Sequence, residues 1–328
     1  MPISELIFFV TSRCDLLCST CFYFRELHNG RHEMDLAEIE RISSSLGKLS
    51  RLYLSGGEPT LRKDLAEICH IFYINNGVRK FILPSNGIVP ERTVERIEQV
   101  LSFCDDIELV TVLSLDGLEK THDGMKGKNG SFRSIMETVS GLNKFKKRYN
   151  GLRTYITTVV STRNYPEIKD LSNFIWEELD VDDHGPSPIR GTPKDADLFP
   201  PSGDDWRELA NCLRPRAIQY WEKSKFSNQV KKEALYRLDD LNRAYEFILK
   251  TEKMPFLCAA GEEIGVLEAD GRVRLCELTK AVGNVRLNDY NFSRIWDSPL
   301  SEEVRKQKQN CACTHACFLN PKLNNRSK

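Results

Sequence analysis

The distribution of apolar positions predicts that strands and helices alternate over residues 6–190. Short apolar runs, typical of buried strands, are separated by stretches whose apolar residues recur at helical spacing. In one such stretch Leu65, Ile68, Cys69 and Phe72 follow an i, i+3, i+4, i+7 pattern, and Asp35 is placed to cap another helix. The predicted strands are 6–10, 52–54, 80–83, 107–115, 155–160 and a weaker one that leads to Ile189.

This alternation implies parallel strands joined by crossover helices, which is an α/β fold. Six strand–helix units are too few for a closed eight-stranded barrel. We therefore expect an open, partial (β/α)6 TIM barrel. Active groups of such barrels lie at the C-terminal ends of the strands, so the residues that follow each strand are the functional candidates.

The remainder of the chain has a different pattern. Residues 192–256 lose the strand signal and contain charged helical stretches with Trp206 and Trp221. Residues 264–275 predict a β-hairpin that turns at Asp270 and Gly271. We expect three segments: a barrel over 1–191, a helical linker or substrate wall over 192–256, and a small hairpin-and-helix domain over 257–328.

Charge and hydropathy limit the partners. Lys+Arg and Asp+Glu both total 47, so the chain has no global positive field to attract nucleic acid or an anionic membrane. The first apolar run, 6–10, is too short to span a bilayer, and it has no basic flank or cleavage site typical of a signal peptide. We expect a cytoplasmic protein that has neither a membrane span nor a nucleic-acid partner.

The eleven cysteines are clustered. Disulfides are rare in a reducing compartment, so groups of neighbouring thiols suggest metal binding. Cys69, Cys104 and Cys212 stand alone, and Cys69 lies on the apolar stripe of its helix. The other eight form an N-terminal triplet and a C-terminal group of five: Cys14, Cys18 and Cys21, then Cys258, Cys276, Cys311, Cys313 and Cys317.

The N-terminal triplet follows directly on the first predicted strand. Cys14, Cys18 and Cys21 are spaced by three and two residues, and such a loop can wrap three thiolates around a four-iron cubane. Three thiolates leave one iron open for a cofactor. A structural zinc site is the alternative interpretation. It would need a fourth ligand, and the nearest candidate, His28, lacks the usual finger spacing.

The triplet and a second motif together resemble the radical S-adenosylmethionine (SAM) superfamily. The second predicted strand ends in Gly56, Gly57, Glu58 and Pro59, which is similar to that family's Gly-Gly-Glu-Pro motif. The resemblance implies a [4Fe–4S] cluster on the triplet with SAM at the open iron. The glycines would let the backbone approach SAM closely, and Glu58 would suit the ammonium group of its methionine part.

The same resemblance implies a reaction. The reduced cluster would cleave SAM to methionine and a 5′-deoxyadenosyl radical, which abstracts a hydrogen atom from the substrate. Cofactors of this kind supply the difficult chemistry, while the protein supplies placement and exclusion of water. An electron donor such as flavodoxin or ferredoxin would then be a partner.

Weaker matches follow the next two strands. Ser85 and Asn86 resemble the family's segment beside SAM, and Ser114 and Asp116 lie where the family often contacts ribose or substrate. Ordinary turn chemistry is the alternative for all four.

The adenine contact is a departure from the family. Many family members carry an aromatic residue just before the third cysteine, but this chain has Thr20 there. Phe22 and Tyr23 follow the third cysteine instead, and they are the candidates for that contact.

The C-terminal cysteines resemble the SPASM extension, or its shorter twitch form, which binds auxiliary iron–sulfur clusters. Cys258 is followed by Gly271 and, after four more residues, by Cys276. The full extension uses seven cysteines for two clusters, so five predict one auxiliary [4Fe–4S] cluster. Its ligands would be that pair and two of the last three, with Cys313 and Cys317 favoured over Cys311. Zinc is again the alternative.

The substrate and the reaction outcome stay open at this stage. Arg190 would end the sixth strand, where its guanidinium could bind a substrate carboxylate or phosphate; a pair with a carboxylate in the barrel wall is the alternative. Cys212 is a candidate hydrogen donor, which an epimerisation would need and an oxidation or crosslink would not. Because the chain begins at once with a strand, we favour a small-molecule substrate (natural product, sugar or lipid) over a peptide, and both substrate classes stay open. A zinc or redox scaffold without SAM chemistry is the alternative function.

Overall fold

The computed structural model describes residues 3–224, 227–256, 258–307 and 311–319. Within them a nine-stranded sheet has the order β6-β5-β4-β3-β2-β1-β7-β8-β9. The strands are β1 Glu5–Thr11, β2 Arg51–Gly56, β3 Lys80–Ser85, β4 Glu108–Ser114, β5 Leu152–Val160, β6 Asp183–Pro188, β7 Ile264–Leu267, β8 Arg272–Arg274 and β9 Gly283–Asn284. The six predicted barrel strands are confirmed, including the weak sixth.

Helices follow the strands as the apolar spacing predicted. Asp35 caps the first of them in a capping box with Glu38. Cys69 is fully buried on α2 and Cys104 ends α3, as expected for structural cysteines. The helices are α1 Leu36–Ser45, α2 Leu65–Asn76, α3 Pro90–Phe103, α4 Glu119–Lys126, α5 Ser131–Lys146, α6 Ile168–Glu178, α7 Gly203–Lys223, α8 Asn228–Thr251, α9 Phe292–Trp296 and α10 Pro299–Gln307.

Strands β1 to β6 are parallel and form the open partial barrel. Their side chains alternate between two faces. On β5, Leu152, Ile156 and Val160 are buried in the core against the helices. Tyr155 and Thr157 point to the opposite, inner face and are only partly buried. Each apolar side chain buried on the outer face contributes about 1.5–3 kcal/mol to the free energy of folding. The inner face, which is less fully buried, is available for a binding site.

The C-terminal hairpin extends the same sheet. Strand β7 pairs in parallel with β1, from Glu5↔Ile264 to Phe8↔Leu267. It turns antiparallel into β8 through Asp270 and Gly271, where Gly271 has φ +84°. The predicted hairpin is therefore confirmed, while the division of the chain at 191 and 256 stays a prediction. Residue 257 and residues 320–328 of the predicted third segment lie outside the described part.

Two contacts span the gap between the free edge of β6 and the C-terminal segment. The Thr314 hydroxyl donates to the carbonyl oxygen of Pro188 at 3.3 Å. Arg190, just beyond β6, lies 3.3 Å from the Glu277 carboxylate. The C-terminal segment thus reaches back over the C-terminal ends of the barrel strands.

Helices α7 and α8 form an antiparallel pair. Trp206 of α7 is buried edge-on against Tyr245 of α8, with ring centroids 5.2 Å apart. Tyr220 of α7 stacks on Trp176 of α6 at 4.7 Å, close to the edge strand β6. Among the described residues, no helix is both long and apolar enough to cross a bilayer.

Candidate active site

The loop after β1 carries the three N-terminal thiols at the C-terminal end of the barrel. Cys14, Cys18 and Cys21 are all half-buried. The loop is fixed on α4 by the N–H of Ser19, which donates to the Met125 carbonyl at 2.9 Å. Burial raises the pKa of Cys14 to about 12 and that of Cys21 to about 11, and a neighbouring thiol adds to both shifts. Such thiols stay protonated unless a bound metal compensates the negative charge.

Two glycines let the end of β2 pack against this loop. A Cβ on Gly57 would lie 2.1 Å from the Arg13 carbonyl oxygen and 3.1 Å from the Cβ of Cys14. Gly56, with φ +124°, would place a Cβ 2.2 Å from the Thr11 carbonyl oxygen. The glycines are thus required for close approach of backbone to backbone beside the thiols. Close approach to SAM, as the motif implies, stays a prediction.

Glu58 holds the ends of β2 and β3 together. It is 1% exposed, and its Oε1 accepts from the Thr60 hydroxyl at 2.7 Å and from the Ser85 hydroxyl at 2.9 Å. Its Oε2 accepts one hydrogen bond from the described residues, the Asn86 N–H at 2.7 Å. The predicted SAM residues Glu58, Ser85 and Asn86 therefore lie together, and Oε2 keeps acceptor capacity for an ammonium group. Pro59 begins the short 3₁₀ turn that positions Thr60.

Asn86 also fixes the cysteine loop. Its side-chain amide donates to Asp15, next to Cys14, at 2.8 Å. Arg92 holds the other oxygen of Asp15 at 2.5 Å. The network therefore links three successive strand ends to the first thiol.

A buried lysine, which neither the apolar pattern nor the motifs had indicated, completes the site at β4. The Lys126 ammonium donates to the Ser114 hydroxyl at 2.5 Å and to Asp116 Oδ2 at 2.7 Å, and it is 3% exposed. Asp116 Oδ1 accepts from the Val159 N–H at 2.8 Å. The Lys126 charge opposes the effect of burial on the pKa of Cys18. A cation at this position favours an anionic ligand beside the thiols.

The side chains of Phe22 and Tyr23 have different neighbours. The Arg190 guanidinium lies 4.7 Å from the centre of the Phe22 ring. Tyr23 is buried against Phe9, and its hydroxyl donates to Glu268 Oε2 at 2.5 Å. Tyr23 is therefore engaged with the C-terminal hairpin, and an adenine contact by either residue stays a prediction.

Four charged residues join the same loop to the hairpin in what we call the loop–hairpin network: Glu26, Glu268, Arg272 and Arg274. Arg272 pairs with Glu26 at 2.8 Å, and Arg274 pairs with Glu268 at 2.6 Å and with Glu26 at 3.2 Å. Arg272, together with Arg31 and Arg274, lowers the pKa of Glu26 to about 2, well below its ordinary value. The thiol loop and the hairpin are thus held together by buried or half-buried charge pairs.

The C-terminal thiols form a second group. Backbone N–H groups of Ala260 and Leu278 donate to the sulfurs of Cys258 and Cys276 at 3.4 and 3.5 Å. The Cys311 and Cys313 thiols share a hydrogen bond, and the pKa of Cys311 is also influenced by the upstream pair. Cys317 is instead influenced by Glu277 and Arg190. Which two of Cys311, Cys313 and Cys317 join Cys258 and Cys276 as ligands stays a prediction.

The donor sets fit iron–sulfur clusters better than zinc. Each group offers thiols as its ligands, with N–H···S bonds in the C-terminal one, as is usual for such clusters. His28, the histidine that a zinc site would need, contacts the Cys14 carbonyl oxygen through Nε2 at 2.8 Å. Within the described residues, no three His, Cys, Asp or Glu side chains lie close enough together to form a metal-binding group.

Arg190 has a carboxylate partner from outside the barrel wall. Its guanidinium contacts Glu277, the residue after Cys276, and Glu277 also hydrogen-bonds to His315. Burial alone would raise the pKa of Glu277, but the two neighbouring bases hold it well below its usual range. Among the described residues, Arg190 Nε has no hydrogen-bond partner. The guanidinium therefore keeps donors that a substrate could use.

Cys212 is not brought to the site. It is exposed on α7, away from the thiols of either group. Its nearby charge contributes to the raised pKa of Tyr165. Its predicted role as a hydrogen donor has no support from this placement.

Two family models match the chain. The radical SAM superfamily model matches residues 8–175, and the SPASM iron–sulfur cluster-binding domain matches residues 258–318. These two regions contain all eight clustered cysteines.

Several curated proteins are similar over part of their length. The Fe-coproporphyrin III synthase of Methanosarcina barkeri is 24% identical over 172 residues, covering 52% of this chain and 40% of that protein. A GTP 3',8-cyclase of Actinobacillus pleuropneumoniae serotype 5b is 33% identical over 111 residues, 33% of this chain and 32% of the cyclase. A cysteine-type anaerobic sulfatase-maturating enzyme of Clostridium novyi is 27% identical over 192 residues, covering 54% of this chain and 48% of that enzyme. Each match spans less than half of the relative.

Solved structures share the fold. Streptococcus suis SuiB bound to S-adenosylmethionine has a TM-score of 0.63 at 18% identity, covering 93% of this chain and 68% of SuiB. The protein anSMEcpe, with bound AdoMet and the Cp18Cys peptide, has a TM-score of 0.65 at 16% identity, covering 94% of this chain and 84% of anSMEcpe. The partial barrel and the C-terminal extension therefore occur together in known structures.

Proposed function

The chain belongs to the radical SAM superfamily and carries a SPASM iron–sulfur domain, and from this premise we propose that it cleaves SAM reductively and abstracts a hydrogen atom from its substrate. The enzyme uses SAM and iron–sulfur clusters as cofactors. When bound, the reduced cluster and SAM together supply a 5′-deoxyadenosyl radical. The observation that carries the proposal is the packing of Gly57 against Cys14, which sets the thiol loop beside the network of Glu58.

We assign the placement of the cluster and SAM to five side chains of this site. The thiols of Cys14, Cys18 and Cys21 hold the cluster, and Glu58 Oε2 accepts from the ammonium of the methionine part. Lys126 lies between Ser114 and Asp116 with its charge toward the thiols. A buried ammonium there is suited to the methionine carboxylate, because charge-assisted hydrogen bonds gain strength when water is excluded. An external donor, flavodoxin or ferredoxin, would deliver the electron.

Two of the fold relatives have been crystallised with peptides, while a small molecule is the substrate class favoured by the sequence. SuiB has been crystallised with its precursor peptide SuiA, and anSMEcpe with the Cp18Cys peptide. We propose a peptide or a small molecule (natural product, sugar or lipid) as substrate, with residues 192–256 as one wall of its site. The alternative of a zinc or redox scaffold is less well supported, because both the thiol triplet and the Glu58 network are intact.

For the outcome we propose an oxidation or bond formation, with the auxiliary cluster as electron acceptor. An epimerisation needs a hydrogen donor near the substrate radical, and Cys212 lies exposed on α7. Comparing the masses of product and substrate tests this choice. Loss of two mass units in an oxidation or crosslink supports it, and an unchanged mass contradicts it.

Cluster content gives a direct prediction. Two cubane clusters require about eight irons and eight sulfides per chain. The triple alanine variant at Cys14, Cys18 and Cys21 should keep about half of each, since the C-terminal thiols form a separate group. The double alanine variant at Cys258 and Cys276 should keep the other half. Iron and sulfide analysis of anaerobically reconstituted protein gives the counts, and a triple variant that binds zinc alone would refute the auxiliary cluster.

Arg190 gives a second prediction, on substrate binding. Arg190→Met should keep the basal rate of SAM cleavage but lose the substrate-induced acceleration by about tenfold or more, because a charge-assisted hydrogen bond contributes about 1.5–3 kcal/mol. Arg190→Lys is the matched variant, since it keeps a charge for Glu277 and removes the planar set of donors. If Arg190→Met loses auxiliary iron and Arg190→Lys behaves as wild type, Arg190 is structural.

A further inference from the structure

Among the residues that the structure describes, the inner face of the barrel carries one carboxylate without an ion-pair partner. On that face Arg51 pairs with Glu5 at 3.6 Å, and Lys80 pairs with Glu108 at 3.0 Å. Arg153 donates to the backbone carbonyls of residues 150 and 152 at 2.8 and 2.9 Å. Asp183 accepts the N–H of His184, and among the described residues no Lys or Arg forms an ion pair with it.

The position of Asp183 relates it to the SAM site. It is the direct partner of Tyr155 across the β5–β6 ladder, and Thr157↔Gly185 is the next inward-facing pair toward the C-terminal end. Thr157 in turn is level with Ser114 on β4, the hydroxyl that contacts Lys126. Two residues of a strand rise about 6.6–6.8 Å. Asp183 therefore lies one layer below the level at which we place SAM, within reach of a substrate there.

Aromatic rings accompany the carboxylate. Tyr155 stands beside it across the ladder, and Tyr220 of α7 lies close enough for the Asp183 charge to act on it. The Tyr220 ring packs at a tilt against Trp176, with ring centroids 4.7 Å apart. Burial and the nearby Asp183 charge raise the pKa of both phenols. Burial and Asp182 raise the pKa of Asp183 itself to about 6. A carboxylate between aromatic rings is a favourable setting for an organic cation, which gains both ionic and cation–π attraction.

We propose that Asp183, flanked by Tyr155 and Tyr220, binds a protonated amine or guanidinium of the substrate. The binding would hold a neighbouring C–H bond of that substrate beneath the SAM site. The catalytic part of this inference rests on the proposed function, while the binding itself does not. The cation could belong to a lysine or arginine side chain of a peptide or to an amino group of a sugar-like small molecule.

Binding of matched probe pairs to the full-length, reconstituted protein tests the inference. The probes are Gly-Lys-Gly, Gly-Arg-Gly and glucosamine, each against its neutral counterpart: the Nε-acetyl-lysine peptide, the citrulline peptide and N-acetylglucosamine. We expect at least one cation to bind about tenfold or more tightly than its counterpart by calorimetry. Asp183→Asn should weaken that binding by about 10- to 100-fold. Glu108→Gln, which alters a paired carboxylate of the same face, should not.

The outcomes separate the binding site from the reaction. If every cation binds no better than its neutral counterpart, or if Asp183→Asn binds the preferred cation as well as wild type, the inference is overturned. Asp183→Ser replaces Asp183→Asn if the latter loses its fold, and Tyr155→Leu should weaken the same probe severalfold. A cation preference that depends on Asp183 in a protein that forms no 5′-deoxyadenosine supports the site and refutes the proposed reaction. Formation of 5′-deoxyadenosine without a cation preference refutes the site and supports the proposed reaction.

Discussion

Replacement of Cys14 by alanine is expected to abolish formation of 5′-deoxyadenosine by the reduced, reconstituted protein. Two thiolates are too few to hold a cubane whose fourth iron must stay open. Cys14 also lies where the loop packs against Gly57, beside the network of Glu58. Anaerobic incubation with SAM and dithionite, followed by mass spectrometry, measures the product.

Cys212→Ala is the control for this prediction, because that thiol is exposed on α7. It should retain the wild-type yield and the wild-type iron content. A Cys14→Ala protein that forms as much 5′-deoxyadenosine as wild type would refute the cluster site. Equal loss in both variants would point to a general effect of cysteine removal on reconstitution.

Replacement of Lys126 by methionine is expected to weaken SAM binding and slow its cleavage by about 10- to 100-fold. The ammonium is buried, and a charge-assisted bond to an anionic ligand contributes about 1.5–3 kcal/mol. The change also leaves Asp116 buried without its cation, which costs about 3–5 kcal/mol of folding free energy. Equilibrium SAM binding and thermal unfolding measure the two effects separately.

Two further variants distinguish binding from folding. Lys128→Met removes an exposed lysine two residues away and should leave both measurements unchanged. The double variant Lys126→Met/Asp116→Asn removes both charges, so much of the stability should return while the affinity for SAM stays low. If the double variant also regains SAM affinity, Lys126 acts only by supporting the fold.

The periodicity of apolar residues was sufficient to predict the strands and helices of the barrel and to place the thiol loop after β1. Alternation on β5 and helical spacing on α2 are local signals, and they determined the elements and their order. The hairpin at Gly271 was equally local, since a turn of that kind needs a residue that accepts positive φ.

Contacts between distant segments were not predictable in this way. Lys126 resembles an ordinary charged residue at the end of a helix, and only the packing of α4 on β4 buries it beside Ser114. Glu277 meets Arg190 across 87 positions of sequence. Spacing alone could not rank Cys311 against Cys317 either, because the path of the backbone determines which thiol approaches Cys258.

Asp183 illustrates a different limit. Strand β6 has the sequence Asp-His-Gly-Pro-Ser-Pro, which carries almost no apolar alternation. Its register against β5 is therefore set by the neighbouring strand, and that register decides which carboxylate faces inward.

The loop–hairpin network has a consequence for recombining this enzyme with its relatives. A chimera that exchanged only the C-terminal third would remove Arg272 and Arg274 while leaving Glu26 in place, and it would separate β7 from the strand against which it formed. The unit that must be exchanged as a whole is therefore discontinuous in sequence: the segment around residues 21–33 has to be transferred together with the hairpin. Exchange of the α7–α8 pair, which lies outside that unit, would leave these charge pairs and the pairing of β7 with β1 in place.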